Sequence, residues 1–109
     1  QFVAPEVPAF QAAAASADWS GSFYQVLTQQ PGAQAWPITG ATFILMHKLP
    51  EHPAQAGAAL KFFDWAYQHG DATAESLAYV PMPDPVVAKV RELWAREIKD
   101  GAGQSVAAR

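Results

Sequence analysis

An α/β fold, mostly helical and with one or two strands, is what this sequence predicts, on three observations. The stretch ATFILMH at 41–47 is apolar almost throughout. Apolar residues recur at helical spacing from about Ala54 to His69, and Asp84-Pro85 opens another helical pattern that runs to about Lys99. The first observation carries the class. A surface strand would alternate polar and apolar side chains, and a helix would not start Thr-Gly-Ala-Thr with β-branched and aromatic residues following. Seven residues fall far short of the roughly 20 needed to cross a bilayer. What remains is a strand covered on both faces, the usual situation in the interior of an α/β sheet.

The remaining elements follow in chain order. Phe2-Val3-Ala4, closed by Pro5, reads as the end of a strand. Pro8 to Ala15 is alanine-rich and helical, with Val7 or Pro8 opening it. Asp18 or Ser20 caps a second short helix carrying Phe23, Tyr24, Val26 and Leu27, which Gln29-Gln30-Pro31-Gly32 stops. After the strand, Leu49 to Pro53 is a loop. In the long helix that follows, Ala56, Ala59, Leu60, Phe63, Ala66 and Tyr67 make one stripe, and Ala58, Phe62 and Trp65 make a second. A helix apolar on two sides is wedged between layers. Gly70 fits the position just past its end. Residues 71–83 read as an irregular connection. Asp84 then serves as N-cap and Pro85 as first helical residue, with Val87, Val90, Trp94 and Ile98 on one face and Val86 and Leu93 flanking. Glu92 and Arg96 form an i,i+4 pair, Gly101 ends the helix, and residues 103–109 look like a tail.

Composition narrows the function. The chain of 109 residues is one domain at most, half its residues are hydrophobic and only 16% are charged, which excludes disorder. A net charge of −3 with scattered basic residues leaves no stripe for a nucleic-acid backbone and no polybasic segment for a lipid surface. Zero cysteines excludes disulfides, thiolate metal sites and thiol nucleophiles. No signal peptide is visible, and the opening at Gln1 is expected to lie downstream of an earlier cut. One confident strand among four helices is a strange inventory, since the mean sheet has about five strands. The chain reads as a portion of a larger sheet.

The segments ADWS at 17–20, AWPIT at 35–39, TFILMHK at 42–48, LKFFDWAY at 60–67 and PDPVV…VRELW at 83–94 come in an order and at spacings that resemble one family. It is the periplasmic phosphate-binding protein of the ABC-type phosphate transporter, and the likeness runs over residues 3–101, matching its C-terminal third. The resemblance implies a type II periplasmic binding protein fold, two α/β lobes that close on phosphate. Residues 1–34 then resemble the end of the second lobe and 41–101 the C-terminal part of the first, with 102–109 a tail. Residues 35–40 resemble the interlobe crossing, with Trp36, Pro37, Ile38, Thr39 and Gly40 as hinge residues; Pro37 stiffens its entry and Gly40 gives slack. It also implies a periplasmic location, an ABC transporter permease as partner, and no enzyme activity. The family's phosphate ligands lie upstream of the matched segment, so no phosphate-binding residue is carried onto this chain. Ser20-Gly21-Ser22 is not the family's phosphate turn, and Arg91, Arg96 and Arg109 sit on the last helix or beyond it.

Other candidate chemistry is weighed against plainer readings. His47, His52 and His69 lack the ligand count of a structural zinc site and are read as surface or loop residues, so no metal or cofactor is expected. Ser20-Gly21-Ser22 presents amides that suit an anion, but a plain helix cap explains it as well. Phe62, Phe63, Trp65, Tyr67 and Trp94 are read as core rather than a ligand cage. Asp64 is expected to face water beside Lys61. No Ser/His/Asp arrangement, P-loop, dinucleotide turn or paired-carboxylate motif is present. The alternative to the family reading is a self-associating module, a homo-oligomer pairing through the 43–47 edge, from Phe43 to the closing His47.

Overall fold

The computed structural model describes residues 2–107. Four helices follow one another: α1 (Val7–Ser16), α2 (Pro53–His69), α3 (Asp71–Ser76) and α4 (Asp84–Glu97). Among the described residues there is no paired strand, only a single antiparallel bridge between Lys99 and Ser105. Neither expected strand forms a ladder. Residues 2–4 make no strand pairing among the described residues, and residues 41–47 are non-helical chain that makes no hydrogen bond among them. A ladder needs a neighbour, and none of the described residues supplies one.

α1 forms where alanines and the first-turn proline favour it and buries Ala9, Ala13 and Ala14. The second short helix does not form. Asp18 Oδ1 accepts the Ser20 N–H at 3.0 Å, and Ser22 Oγ accepts the Tyr24 N–H at 3.0 Å. Such bonds two residues along offer the backbone an alternative to the helix, and here they win. Trp19 is instead folded inward, its Nε1–H donating to the Ala14 carbonyl at 2.8 Å.

α2 matches its pattern, but only one stripe is covered. Ala56 and Leu60 are buried and Phe63, Ala66 and Tyr67 half-buried, whereas Phe62 is 62% and Trp65 56% exposed. The expectation that these two lie in a core is not met within this chain, because no layer covers that side. Gly70 does follow the helix directly; its φ is −94°, and a Cβ there would stand 2.6 Å from the Ala66 carbonyl oxygen. Glycine is needed for that close approach, which lets the chain continue into α3. The irregular connection therefore begins with a helix, whose Asp71 sits favourably in the first turn. α4 starts at Asp84 with Pro83 in the capping position, one residue before the expected boundary, and the helix ends at Glu97 rather than Lys99. Arg96 pairs with the neighbouring Glu97 at 3.2 Å rather than with Glu92.

Two small cores replace one. Ala14, Ala17, Trp19, Leu27 and Val86 form the first, joining α1 to the start of α4. Ala56, Leu60, Ile98 and Val106 form the second, joining α2 to the chain beyond α4. Residues 102–107 do not trail away, for Val106 is fully buried. The non-helical segment 41–47, called the ribbon below, runs between the cores, with Ala41 against the first and Met46 against the second. The molecule measures 52 × 30 × 17 Å with a radius of gyration of 15.4 Å, against about 13 Å for a globule of this length. Its accessible surface is 7449 Å², whereas a folded monomer of this mass exposes roughly 5,900 Å².

The close approach at Gly70 yields a prediction. Gly70→Ala is expected to destabilise the fold by about 1–3 kcal/mol, because the added methyl meets backbone rather than a side chain able to move. Thermal unfolding checks this, and an unchanged midpoint contradicts it.

Candidate functional site

The expected hinge segment enters the structure tightly and leaves it loosely. Trp36 donates its N–H to the Ala9 carbonyl at 3.0 Å, and its ring lies 6.3 Å from that of Phe10, so it is tied to α1. The Pro37 carbonyl accepts the Gln29 N–H at 2.8 Å. Thr39 is buried, and its hydroxyl donates to the Trp36 carbonyl at 2.9 Å. Ile38 is 73% exposed. Gly40 has open space where a Cβ would stand and a φ outside the left-handed region. From Gly40 to His47 no backbone group is bonded among the described residues.

The ribbon then crosses an apolar cleft of about 260 Å³ between α2 and α4, lined by Trp19, Phe63, Tyr67, Val90, Leu93 and Trp94. Packed interiors leave few voids larger than a water molecule. Phe43 and Ile44 line this cleft yet remain 41% and 59% exposed, and Leu45 is 93% exposed. Tyr67 and Trp94 approach to 6.0 Å between ring centres, and burial raises the Tyr67 hydroxyl pKa while the nearby Arg91 charge opposes it. The ribbon's far end is fastened: the Lys48 carbonyl accepts the Lys99 N–H at 2.8 Å, and Lys48 Nζ lies 3.2 Å from Glu97.

The other sequence candidates settle into structural roles. The Ser20 N–H already faces the Asp18 carboxylate, which Ser20 holds below its usual pKa, first by its hydroxyl and then by its amide. A carboxylate in that place repels a second anion, so the anion reading of Ser20-Gly21-Ser22 falls. Asp64 remains partly exposed, as expected, but is not left to water alone. It accepts from Arg91 Nε at 2.6 Å, linking α2 to α4 through a partly exposed pair worth at most about 1 kcal/mol. His47 and His52 are exposed, and His69 stacks on Trp65 at 5.4 Å. Among the described residues no group of three or more acidic or histidine side chains is placed to hold a metal, and no helix is long and apolar enough to cross a membrane. Sequence reading missed the docking of Val106 and the pairing of Lys48 with Glu97, for which a lone valine and a lone lysine give no periodic signal.

A non-helical ribbon with both edges unpaired among the described residues, lying over a half-filled cleft between amphipathic helices, would suit one portion of a larger α/β protein. The comparisons agree in kind. The chain is 41% identical over 108 residues to the phosphate-binding protein PstS of Pasteurella multocida, a match covering 97% of this chain and 31% of the relative. It is 44% identical over 101 residues to PstS of Xylella fastidiosa, covering 91% of this chain and 28% of that protein. PstS of Haemophilus influenzae gives 41% over 101 residues, 91% of this chain and 30% of the relative. No family model matches the chain. Over nearly its whole length, then, this chain is a relative of the C-terminal part of the phosphate-binding proteins PstS, and it spans about 30% of the length of the relatives it matches.

The Lys48–Glu97 contact has a pH signature. Glu97 has a pKa lowered below 4.5, first by its hydrogen bond with Lys48 and next by that with Arg96. A depressed carboxylate pKa contributes stability that is full above the unfolded value and lost as pH falls through the folded one. The tie is therefore expected to hold fully above the ordinary glutamate pKa of about 4.3 and to loosen as pH falls through the lower folded value. A carboxyl titration by NMR checks this: Lys48→Ala should return the Glu97 midpoint toward its ordinary value, and an unmoved midpoint contradicts the assignment.

Proposed function

We propose that this chain serves as the C-terminal part of a periplasmic phosphate-binding protein, the solute receptor of an ABC-type importer of inorganic phosphate, and not as an enzyme. What carries the reading is identity of 41–44% over 91–97% of the chain to proteins named for phosphate binding. The role assigned to these residues is architectural. The ribbon would complete a sheet of one lobe in a two-lobed, type II fold, with strands from chain outside these 109 residues on either side of it. Residues 1–34 would close the second lobe, residues 41–101 the first, and residues 35–40 would be a crossing between them.

Several features support the assignment. The exposed surface exceeds that of a self-contained monomer by roughly 1,500 Å², about twice what one partner buries in a standard protein interface. The family likeness carries no phosphate ligand onto these residues, so anion recognition is assigned to chain outside them. Trp36, Pro37, Ile38, Thr39 and Gly40 are proposed to absorb the rotation of the lobes, since hinges are a few residues at element ends that take up a change in backbone angle. The bonded entry at Trp36 and Pro37, followed by unbonded chain from Gly40, suits such a role. The permease of the importer would be the partner of the whole protein.

Calorimetry distinguishes the part from the whole. Inorganic phosphate added to the 109-residue chain is expected to give no binding heat, while the complete protein carrying this segment binds it; micromolar binding by the short chain would overturn the assignment of the ligands elsewhere. The self-association reading draws on exposed Phe62 and Trp65, and light scattering that reports a dimer of the short chain at micromolar concentration would favour it. For the hinge, Trp36→Gly in the complete protein is expected to change phosphate affinity through the equilibrium between open and closed lobes. Unaltered affinity and closure kinetics would remove that role.

A further inference from the structure

Chain that precedes residues 35–40 is joined to chain that follows them by an apolar core, a hydrogen bond and a ring contact. The core is the first of the two. Ala14, Ala17, Trp19 and Leu27 enter it from before that segment, and Val86, in the first turn of α4, enters it from after, with Ala41 and Met82 packed on its edge. The hydrogen bond runs from Gln11 Nε2 of α1 to the Pro81 carbonyl at 3.1 Å, across 70 residues of chain. The ring contact sets Tyr24 against Phe43 with 5.4 Å between centres, and both rings stay exposed. α1 thus packs against α4, although the whole of residues 35–40 lies between them in sequence.

Both ends of that segment rest on the same part of the molecule. Trp36 bonds the Ala9 carbonyl of α1 and lies beside Phe10, Thr39 closes back on the Trp36 carbonyl, and Ala41 emerges against the core that holds Trp19. Where a chain crosses between two bodies, the axis of their rotation runs close by, and points near an axis move least. The core is packed as an interior is, so parting it would return Trp19, Leu27 and Val86 to water. Packed surfaces of this kind accommodate a small slide and resist opening. Tyr24 and Phe43, at the exposed rim, can separate with far less apolar surface uncovered.

We propose that the first core is an interlobe bearing, the surface beside the crossing on which the two lobes stay in contact while they open and close. Gln11 and Val86 are its positioning residues, and they act on ligand affinity through the balance of open and closed lobes. Val86 seats α4 in the core, and Gln11 fixes where α1 lies against the chain leading into α4. Apolar contact has no preferred direction, so the core permits a slide that the directional bond at Gln11 limits. The bearing role rests on the function proposed above and on the division of lobes at residues 35–40; the contact between α1 and α4 does not.

Hydrogen exchange on the 109-residue chain tests the contact. Val86→Ala is expected to speed exchange of the α1 amides severalfold more than that of the α2 amides, and Leu60→Ala, in the second core, to do the reverse. α1 amides that respond equally to both substitutions overturn the proposal. The bearing is tested in the complete protein, by isothermal calorimetry with inorganic phosphate. Residues 1–109 contain no cysteine, so Gln11→Cys and Met82→Cys place a pair that a short bis-maleimide can join across the core. The linked protein is expected to bind phosphate within a few-fold of its unlinked form, because a bearing does not part. A loss of tenfold or more on linking overturns the role, since the surface then has to open. Gln11→Glu keeps the shape, removes the donor and sets a charge against the Pro81 carbonyl. It is expected to change phosphate affinity severalfold while the phosphate-saturated protein keeps the parent's radius of gyration in small-angle scattering; unchanged affinity overturns the role as well. A parent protein that binds no phosphate sinks the function proposed above and leaves the exchange result to judge the contact.

Discussion

Backbone N–H and C=O groups must find partners or water, and in this molecule one stretch has found no protein partner at all. From Gly40 to His47 the chain is non-helical, largely apolar and unbonded among the described residues. A run of that composition gains from burial only if its backbone is paired at the same time, because buried unpaired amides each cost roughly 1–3 kcal/mol. The ribbon therefore stays half-exposed over its cleft, and the rest of the architecture adjusts to it. The helices cannot close the space beneath it, the cores stay separate, and the molecule is longer and more exposed than a globule of its mass.

The two cores show how far the chain organises itself without a sheet. Trp19 sits where α1 meets α4 and satisfies its indole N–H on the Ala14 carbonyl, so an aromatic is buried with no polar group stranded. Leu60, Ile98 and Val106 do the same work at the far end with aliphatic side chains alone. α4 joins the two, contributing Val86 to one and leading into Ile98 of the other. The outer stripe of α2, with Phe62 and Trp65, has no counterpart in either core. A covering layer on that side is what the two-sided hydrophobic pattern of the helix anticipates.

Little of the polar chemistry is free to act on a ligand. The amide of Ser20 is occupied by Asp18, Asp64 by Arg91, and Glu97 by Lys48 and Arg96. These are short-range ties that hold loops and helix ends.

The sequence by itself determined the three main helices, their inward stripes and the likeness to phosphate-binding proteins, because helical spacing and local motifs are properties of neighbouring residues. It also marked residues 41–47 as a segment shaped for cover on both faces. Tertiary structure decided what depends on distant partners or on competition between local bonds. Asp18, Ser20 and Ser22 spent their side chains on turns, so a helix was lost; Gly70 came so close to Ala66 that the chain ran straight on into α3; and Val106, one apolar residue among polar and small ones, found its place only because Asp100 folded the chain back onto Gly57. The ribbon is the limiting case. Its hydrophobicity is written in the residues, but whether it becomes a strand is decided by neighbours, since a β-ladder is a contract between two chains and an extended segment holds only half of it.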